Sequence, residues 1–189
     1  METQQFNIIG SQSLVEWVGR KVTGAHNGTI AIKEGTLTFK DNHLLSGRFV
    51  IDTRSIKILD ITDPVTNAQF AGHLASDDFF SSEQYPEAIF EISYAEPINK
   101  GAYHVTGNLT IKGITQLISF NAQVDRSGNT VTASGKITVD RTKFGIKFRS
   151  GNFFQNLGDT LIYNNFDLGT HLTAQAATQP EVTAQPIHA

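Results

Sequence analysis

The chain has 189 residues, of which 39% are hydrophobic, a formal net charge of −3 and no cysteine. That apolar content is enough for one large folded domain and excludes wholesale disorder, while the negative balance argues against a nucleic-acid binder that works by neutralising phosphates. Without cysteine there is no disulfide, no thiolate nucleophile and no zinc–thiolate centre.

The opening residues, "METQQFNIIGSQS", contain neither a basic n-region nor an apolar run of h-region length. No secretory signal and no membrane-inserting helix is therefore expected. A cytoplasmic location is the expectation, with a periplasmic or secreted one as the alternative if Met1 is not native.

From residue 45 onwards apolar and polar residues alternate. "LSGRFVID" sets Leu45, Gly47, Phe49 and Ile51 against Ser46, Arg48 and Asp52. After Ile61 the rhythm breaks: Asp63 offers an N-cap, Pro64 suits the first helical position, and Val65, Phe70 and Leu74 fall on one helical face. One short helix is expected here. Its apolar stripe leads into "DDFFSSEQYP", where Phe79 and Phe80 stand in an otherwise polar stretch. Adjacent residues generally point opposite ways, so one ring is expected to pin the helix while the other faces the interior.

Alternation resumes in "AIFEISY", with Ala88, Phe90, Ile92 and Tyr94 on one face, and in "YHVTGNLTIKG", with Val105, Gly107, Leu109 and Ile111. "LISFNAQV" and "TVTASGKITV" continue it through Ile118, Phe120, Ala122 and Val124, then Val131, Ala133, Gly135, Ile137 and Val139. Period two with one polar face predicts antiparallel strands. The turn signals "KDNH", "NKG", "KGIT" and "RSGN" make consecutive strands hairpin neighbours, giving an up-and-down meander that escapes exposed edges by closing into a barrel.

Next comes "DRTKFGIKFRSGNFF", in which Arg141, Lys143, Lys147 and Arg149 interleave with four phenylalanines. Such interleaving suits a solvated amphipathic strand pair, a basic collar at a pocket mouth, or, against the acidic balance, a single-strand platform. The tail from Thr173 is Ala, Gln, Thr and Pro without periodicity and reads as a disordered extension over 173–189, leaving a barrel domain over 1–172.

No catalytic or metal motif emerges. The six histidines are scattered singly, and the His73/Asp77 spacing lacks further ligands nearby, so no metal is expected. No G-x-S-x-G, H-E-x-x-H or S-x-x-K motif is present. Of 18 aromatic residues 13 are phenylalanine, and glycines 47, 107 and 135 sit on apolar strand faces. Phe carries no polar handle, and a missing side chain leaves room or permits bending. An elongated, dry interior is one reading; a barrel filled by its own side chains is another.

The order of these stretches resembles the YceI-like family of lipid- and polyisoprenoid-binding proteins. The resemblance runs from about Phe6 to Leu172, through "SLVEWVGRKVTGAHNGTI", "LSGRFVIDTRSIKILD", "HLASDDFFSSEQYPEAIFE", "YHVTGNLTIKGITQLISF", "VDRTKFGI" and "LGDTLIYNNFDL". It implies an all-β, extended, eight-stranded antiparallel lipocalin-like barrel with one inserted helix. It also implies a long isoprenoid or a fatty-acyl lipid as ligand, no cofactor and no catalytic residues. A homodimer is compatible with it, and no nucleic-acid partner is expected.

On that basis the chain is expected to carry a long-chain amphiphile, with an isomerase or hydrolase using the same cavity as the rival. Alternation assigns Trp17, Phe39, Phe49, Ile51, Phe90, Leu109, Ile111 and Phe120 to the tunnel wall. Position assigns Phe70, Leu74, Phe79 and Phe80 to a cap, and Arg141 or Arg149 to a polar head group.

Overall fold

The alternating stretches form strands of one continuous antiparallel sheet. The computed structural model describes residues 1–178. In chain order the elements are β1 (Thr3–Ile8), β2 (Leu14–Lys21), β3 (Gly24–Lys40), β4 (His43–Ile58), α1 (Pro64–Ala75), β5 (Glu87–Asn99), β6 (Ala102–Ile111), β7 (Ile114–Ser127), β8 (Thr130–Asp140) and β9 (Ile162–Ala176). Short 3-10 turns lie at Gly10–Gln12, Arg141–Phe144 and Gly158–Thr160.

The first two strands share one stave. Thr3–Asn7 pair with Thr36–Lys40, and Val15–Lys21 pair with Gly24–Ile30, both on β3. On the other side β1 and β2 both pair with β9. The remaining strands follow in sequence order from β3 to β9, so the sheet closes on itself as eight staves. Closure gives each central backbone group a partner and removes the edges on which another chain could pair. The expected barrel and meander are both confirmed.

Two-residue links join β2–β3, β3–β4, β5–β6, β6–β7 and β7–β8. At two of them the chain takes a left-handed pair, Asp41 (φ 49°) with Asn42 (φ 68°), and Lys112 (φ 52°) with Gly113 (φ 72°). Positive φ at both central positions matches the twist of the flanking strands, and Asn, Asp and Gly adopt it most readily. All five links lead to short, local pairings. The two long connections, residues 59–86 and 141–161, lie at the same end of the barrel, where they form its cap and lip.

Two bulges correct the expected faces. Thr38 pairs with Ser46 but Phe39 pairs with Leu44, so Leu45 is an extra residue and turns outward, 49% exposed, while Leu44 is buried. Ile92 pairs with Gly107 but Tyr94 with Thr106, which makes Ser93 extra and leaves Tyr94 58% exposed. One inserted residue reverses the pleat for everything beyond it.

The helix begins where expected. Asp63 Oδ2 accepts hydrogen bonds from the Thr66 amide (2.9 Å) and hydroxyl (2.6 Å), and Pro64 occupies the first turn. Leu74 is buried and Phe70 half-buried, but Val65 is 65% exposed. Asn67 ties the first turn of α1 to the Ile58 and Ile61 carbonyls, and Val65 faces solvent.

At the C-terminal end strand β9 runs past residue 172, into the stretch expected to be a disordered extension. Thr173–Ala176 belong to β9, with Gln175 opposite Thr130 and Ala176 opposite Phe6. Strands β1 and β8 offer open backbone partners on both sides, and these outweigh the low-complexity composition. The rest of the expected tail, from residue 179, lies outside the described residues.

Candidate functional site

The barrel interior is divided into two halves. In the half away from the cap, aromatic rings fill the space. Phe6 meets Phe39 edge-on at 5.4 Å between centroids, Phe49 stacks on Phe90 at 6.2 Å, and Phe90 meets Phe120 at 5.6 Å. The absent side chain of Gly107 leaves no void, because a Cβ there would lie 2.6 Å from the Phe90 ring. Arg126 lies over this end, its guanidinium 5.0 Å from the Phe6 centroid, and Nη1 donates to Asn42 Oδ1 at 3.0 Å.

The capped half is hollow. It holds a cavity of about 440 Å³ whose lining is predominantly apolar. That volume is within the range of sites that bury a small organic molecule, roughly 300–1,000 Å³. Val15 and Trp17 of β2, Ile51 and Ile56 of β4, Leu109 and Ile111 of β6, and Ile162, Phe166 and Leu168 of β9 form the walls. The Trp17 indole packs on Gly28, where a Cβ would collide with the Lys57 carbonyl and meet the ring at 2.6 Å, and Nε1 donates to the Thr29 carbonyl at 3.2 Å. Only glycine at that position lets the ring reach the wall.

The cap consists of Phe70 and Leu74 from α1, Phe79 and Phe80 from the turn after it, and Ile146 and Phe148 from the 141–161 crossover. The chain leaves α1 tightly: the amides of Phe80, Ser81 and Ser82 donate to the carbonyls of Leu74, Ser76 and Ala75. This turn separates the two adjacent rings. Phe79 packs on both His73 (5.0 Å) and Phe148 (5.6 Å), which also meet each other at 4.8 Å, tying the helix end to the crossover. Phe80 reaches across to Phe166 of β9 at 6.4 Å. Both rings line the cavity, so the expected division of labour holds for the contacts but not for exposure to the interior.

Of the residues assigned from sequence, Trp17, Ile51, Phe70, Leu74, Phe79, Phe80, Leu109, Ile111, Arg141 and Arg149 line the cavity. Phe39, Phe49, Phe90 and Phe120 do not; they fill the other half, and the tunnel expected along the whole barrel is a half-length cavity. Sequence reasoning missed Phe166 and Leu168, although alternation from Ile162 to Leu172 signalled them. Ile146 and Phe148 carried no such signal because they lie in a non-periodic segment.

Charged groups gather at the mouth. Arg141 is only 4% exposed and is held by three carbonyls: Nε donates to Tyr163 (3.0 Å), Nη1 to Ile146 (3.0 Å) and Nη2 to Ile162 (2.9 Å). Burial pulls its pKa below the ordinary arginine value, and Asp140 works in the opposite direction. The Arg149 guanidinium instead stacks 5.0 Å above the Phe148 ring in an exposed position.

Two His–Asp pairs flank the cap. His26 Nδ1 is 2.8 Å from Asp60 and its ring packs on Phe70 at 4.8 Å; His73 Nε2 is 3.0 Å from Asp78, not from Asp77. Burial opposes the Asp60 charge, but the Asn27 amide and the His26 ring together hold its carboxyl below the usual value. Among the described residues neither imidazole hydrogen-bonds a hydroxyl, and no three His, Asp or Glu side chains converge as a metal site. No helix there is long and apolar enough to cross a membrane.

Residues 6–174 match the family model described as the YceI-like domain. The chain belongs to the YceI-like family. Among curated relatives, the UPF0312 protein of Photorhabdus laumondii is 30% identical over 139 residues, covering 69% of this chain and 65% of its own length. A UPF0312 protein of Vibrio parahaemolyticus is 29% identical over 56% of each chain, so this YceI-like chain spans under two thirds of either relative. Of solved structures, Burkholderia cenocepacia BcnA superposes with a TM-score of 0.70 at 23% identity, over 90% of this chain and 99% of its own. A polyisoprenoid-binding domain from Saccharophagus degradans superposes with a TM-score of 0.65 at 14% identity, over 91% and 98%. These likenesses establish the YceI-like barrel as the fold.

Proposed function

We propose that this YceI-like barrel binds and carries a long-chain apolar amphiphile, a polyisoprenoid such as a quinone or polyprenyl chain or a fatty amide, without chemically altering it. The observation that carries this reading is the apolar cavity beneath the α1 cap, walled by β2 to β6 and β9 and closed at depth by packed rings. The Saccharophagus domain of the same fold is described as polyisoprenoid-binding, which supports the ligand class. Most of the cavity wall is Ile, Leu, Val, Phe and Trp; its carboxylate, Asp159, lies in the crossover, and the lining histidines His26 and His73 have their partners Asp60 and Asp78 outside the lining. That distribution favours a binder over an acid–base catalyst.

The apolar chain would lie against Trp17, Leu109, Ile111 and Phe166, with the head group at the mouth near Arg149. Arg149 is better suited to that contact than Arg141, whose three nitrogens already serve carbonyls. Each methylene moved from water into the cavity adds about 0.8 kcal/mol, roughly fourfold in affinity, until the cavity is full. Native mass spectrometry with organic extraction, followed by titration with prenyl quinones of increasing length, tests the reading. Expected are a co-purifying isoprenoid or fatty-acyl species and an affinity that climbs with length and then levels off. An empty barrel that ignores the whole series would sink the proposal, and a ligand recovered chemically changed would point to an enzyme instead.

A further inference from the structure

The crossover segment between β8 and β9 contains two aromatic rings that no packing accounts for. Phe153 is 49% and Phe154 50% exposed, side by side on a turn whose amides both donate to the Ser150 carbonyl, at 3.1 and 3.0 Å. The turn is anchored, since Ser150 is fully buried and its hydroxyl donates to Asn164 Oδ1 of β9 at 2.6 Å. The rings are thus held out in water by a fixed backbone. Val22, whose amide donates to the Leu161 carbonyl of the crossover, and Tyr163, which lines the cavity, are about as exposed.

Charge marks the same lip. Residues 141–161 contain Arg141, Lys143, Lys147 and Arg149 against a single acid, Asp159, in a chain whose net charge is −3. Lys147 Nζ lies 4.8 Å over the Phe153 ring, so a cation and an apolar ring share one spot. The capping segment that packs on this lip has the inverse composition, although Lys33 pairs with Glu87 and Lys112 Nζ donates to the Asp77 carbonyl. Residues 58–87 hold Asp60, Asp63, Asp77, Asp78, Glu83 and Glu87 and neither Lys nor Arg.

We infer that the 147–154 lip docks the barrel mouth on an anionic lipid bilayer, with Phe153 and Phe154 entering the interface and Lys143 and Lys147 meeting lipid phosphates. Exposed apolar rings beside cations are the composition of an interfacial anchor, and a contiguous apolar patch on a stable fold marks an interaction site. An anionic surface repels the carboxylates of the 58–87 segment, so the basic lip is the part of the mouth that docks. The inference builds on the carrier reading, because an insoluble chain transfers most readily where the mouth meets the membrane. Its evidence, however, is independent of what the cavity holds.

Flotation with vesicles of phosphatidylcholine alone, and of phosphatidylcholine mixed with phosphatidylglycerol, tests this on the whole chain. Expected is flotation with the mixed vesicles only, weakening as salt is added. Lys143→Gln with Lys147→Gln should weaken it by about fivefold per cation, and Phe153→Ser with Phe154→Ser by tenfold or more. None of these four side chains lines the cavity, so melting and retained ligand should match the parent chain.

Failure to float with mixed vesicles overturns the docking, as does equal flotation with both kinds or indifference to the Phe pair. A concentration-dependent dimer that the Phe→Ser pair abolishes, with no vesicle binding, assigns the patch to a second copy and also overturns it. An empty barrel that floats leaves the docking standing while the carrier reading falls; a loaded barrel that never floats does the reverse.

Discussion

Arg141 shows how a charge can be buried beside an apolar cavity without a carboxylate partner. Its guanidinium fork meets the carbonyls of Ile146, Ile162 and Tyr163 and so holds the crossover to the first two residues of β9. A hydrogen bond from a charged donor contributes about 1.5–3 kcal/mol, and a buried acceptor left without one costs about 1–3 kcal/mol. Arg141→Met should therefore lower stability by about 3 kcal/mol or more, read as a shift of the urea midpoint. An unchanged midpoint would return Arg141 to a head-group role. The phenylalanines divide by position in the same way. Phe49→Ala leaves a hole in the packed half and should cost about 3–5 kcal/mol, while the folded fraction still takes up ligand. Ile56→Phe instead adds bulk where space is empty. It should shorten the longest prenyl chain accepted with little change in melting temperature, both measured on the same sample.

At the level of elements, the cap is held by polar ties at its ends and by rings in its middle. Asp60 joins the end of β4 to β3, through the Asn27 amide at 3.1 Å and the His26 ring. Its carboxyl is held below the ordinary value of 3.8 in the fold. The contribution is therefore complete above the unfolded pKa and is lost as pH falls through the lower folded one. Melting temperature should hold from neutrality to about pH 4 and fall below it. Asp60→Asn should start lower and converge on the parent curve at the most acidic pH, with a remaining slope from Asp167, which Arg20 holds low in the same manner. Parallel curves would show that the tie does not support the fold. The existence of α1, its cap and its first residue were legible because Asp63 and Pro64 act locally. The bulges at Leu45 and Ser93 were not, because a bulge is visible only against the partner strand.

For the whole molecule, closure depends on its first strand. Phe6 is fully buried and β1 pairs with both β3 and β9. Removing residues 1–9 would uncover an edge on each of those strands and take the Phe6 ring from the core. The shortened chain should melt at lower temperature and form soluble oligomers through its bared edges. Light scattering after size exclusion checks this; a monomer with the parent melting temperature would show that the barrel is stable without closure. The family and the barrel were legible because motif order and alternation persist along most of the chain. Four of the eight residues assigned to the wall by alternation alone fell in the packed half.

What the sequence determined by itself was the inward and outward face of most strands, the single helix and the hairpin order, because each rests on contacts between near neighbours in the chain. The tertiary structure alone decided which half of the barrel is filled and which is hollow. An inward Phe looks the same in the alternation whether it meets another ring, as Phe90 meets Phe49 and Phe120, or borders a cavity, as Phe166 does. The difference arises from where the two long connections fold. Both cross one end of the barrel, prop it open with Phe70, Phe79 and Phe148, and leave the tightly turned end to close on its own side chains.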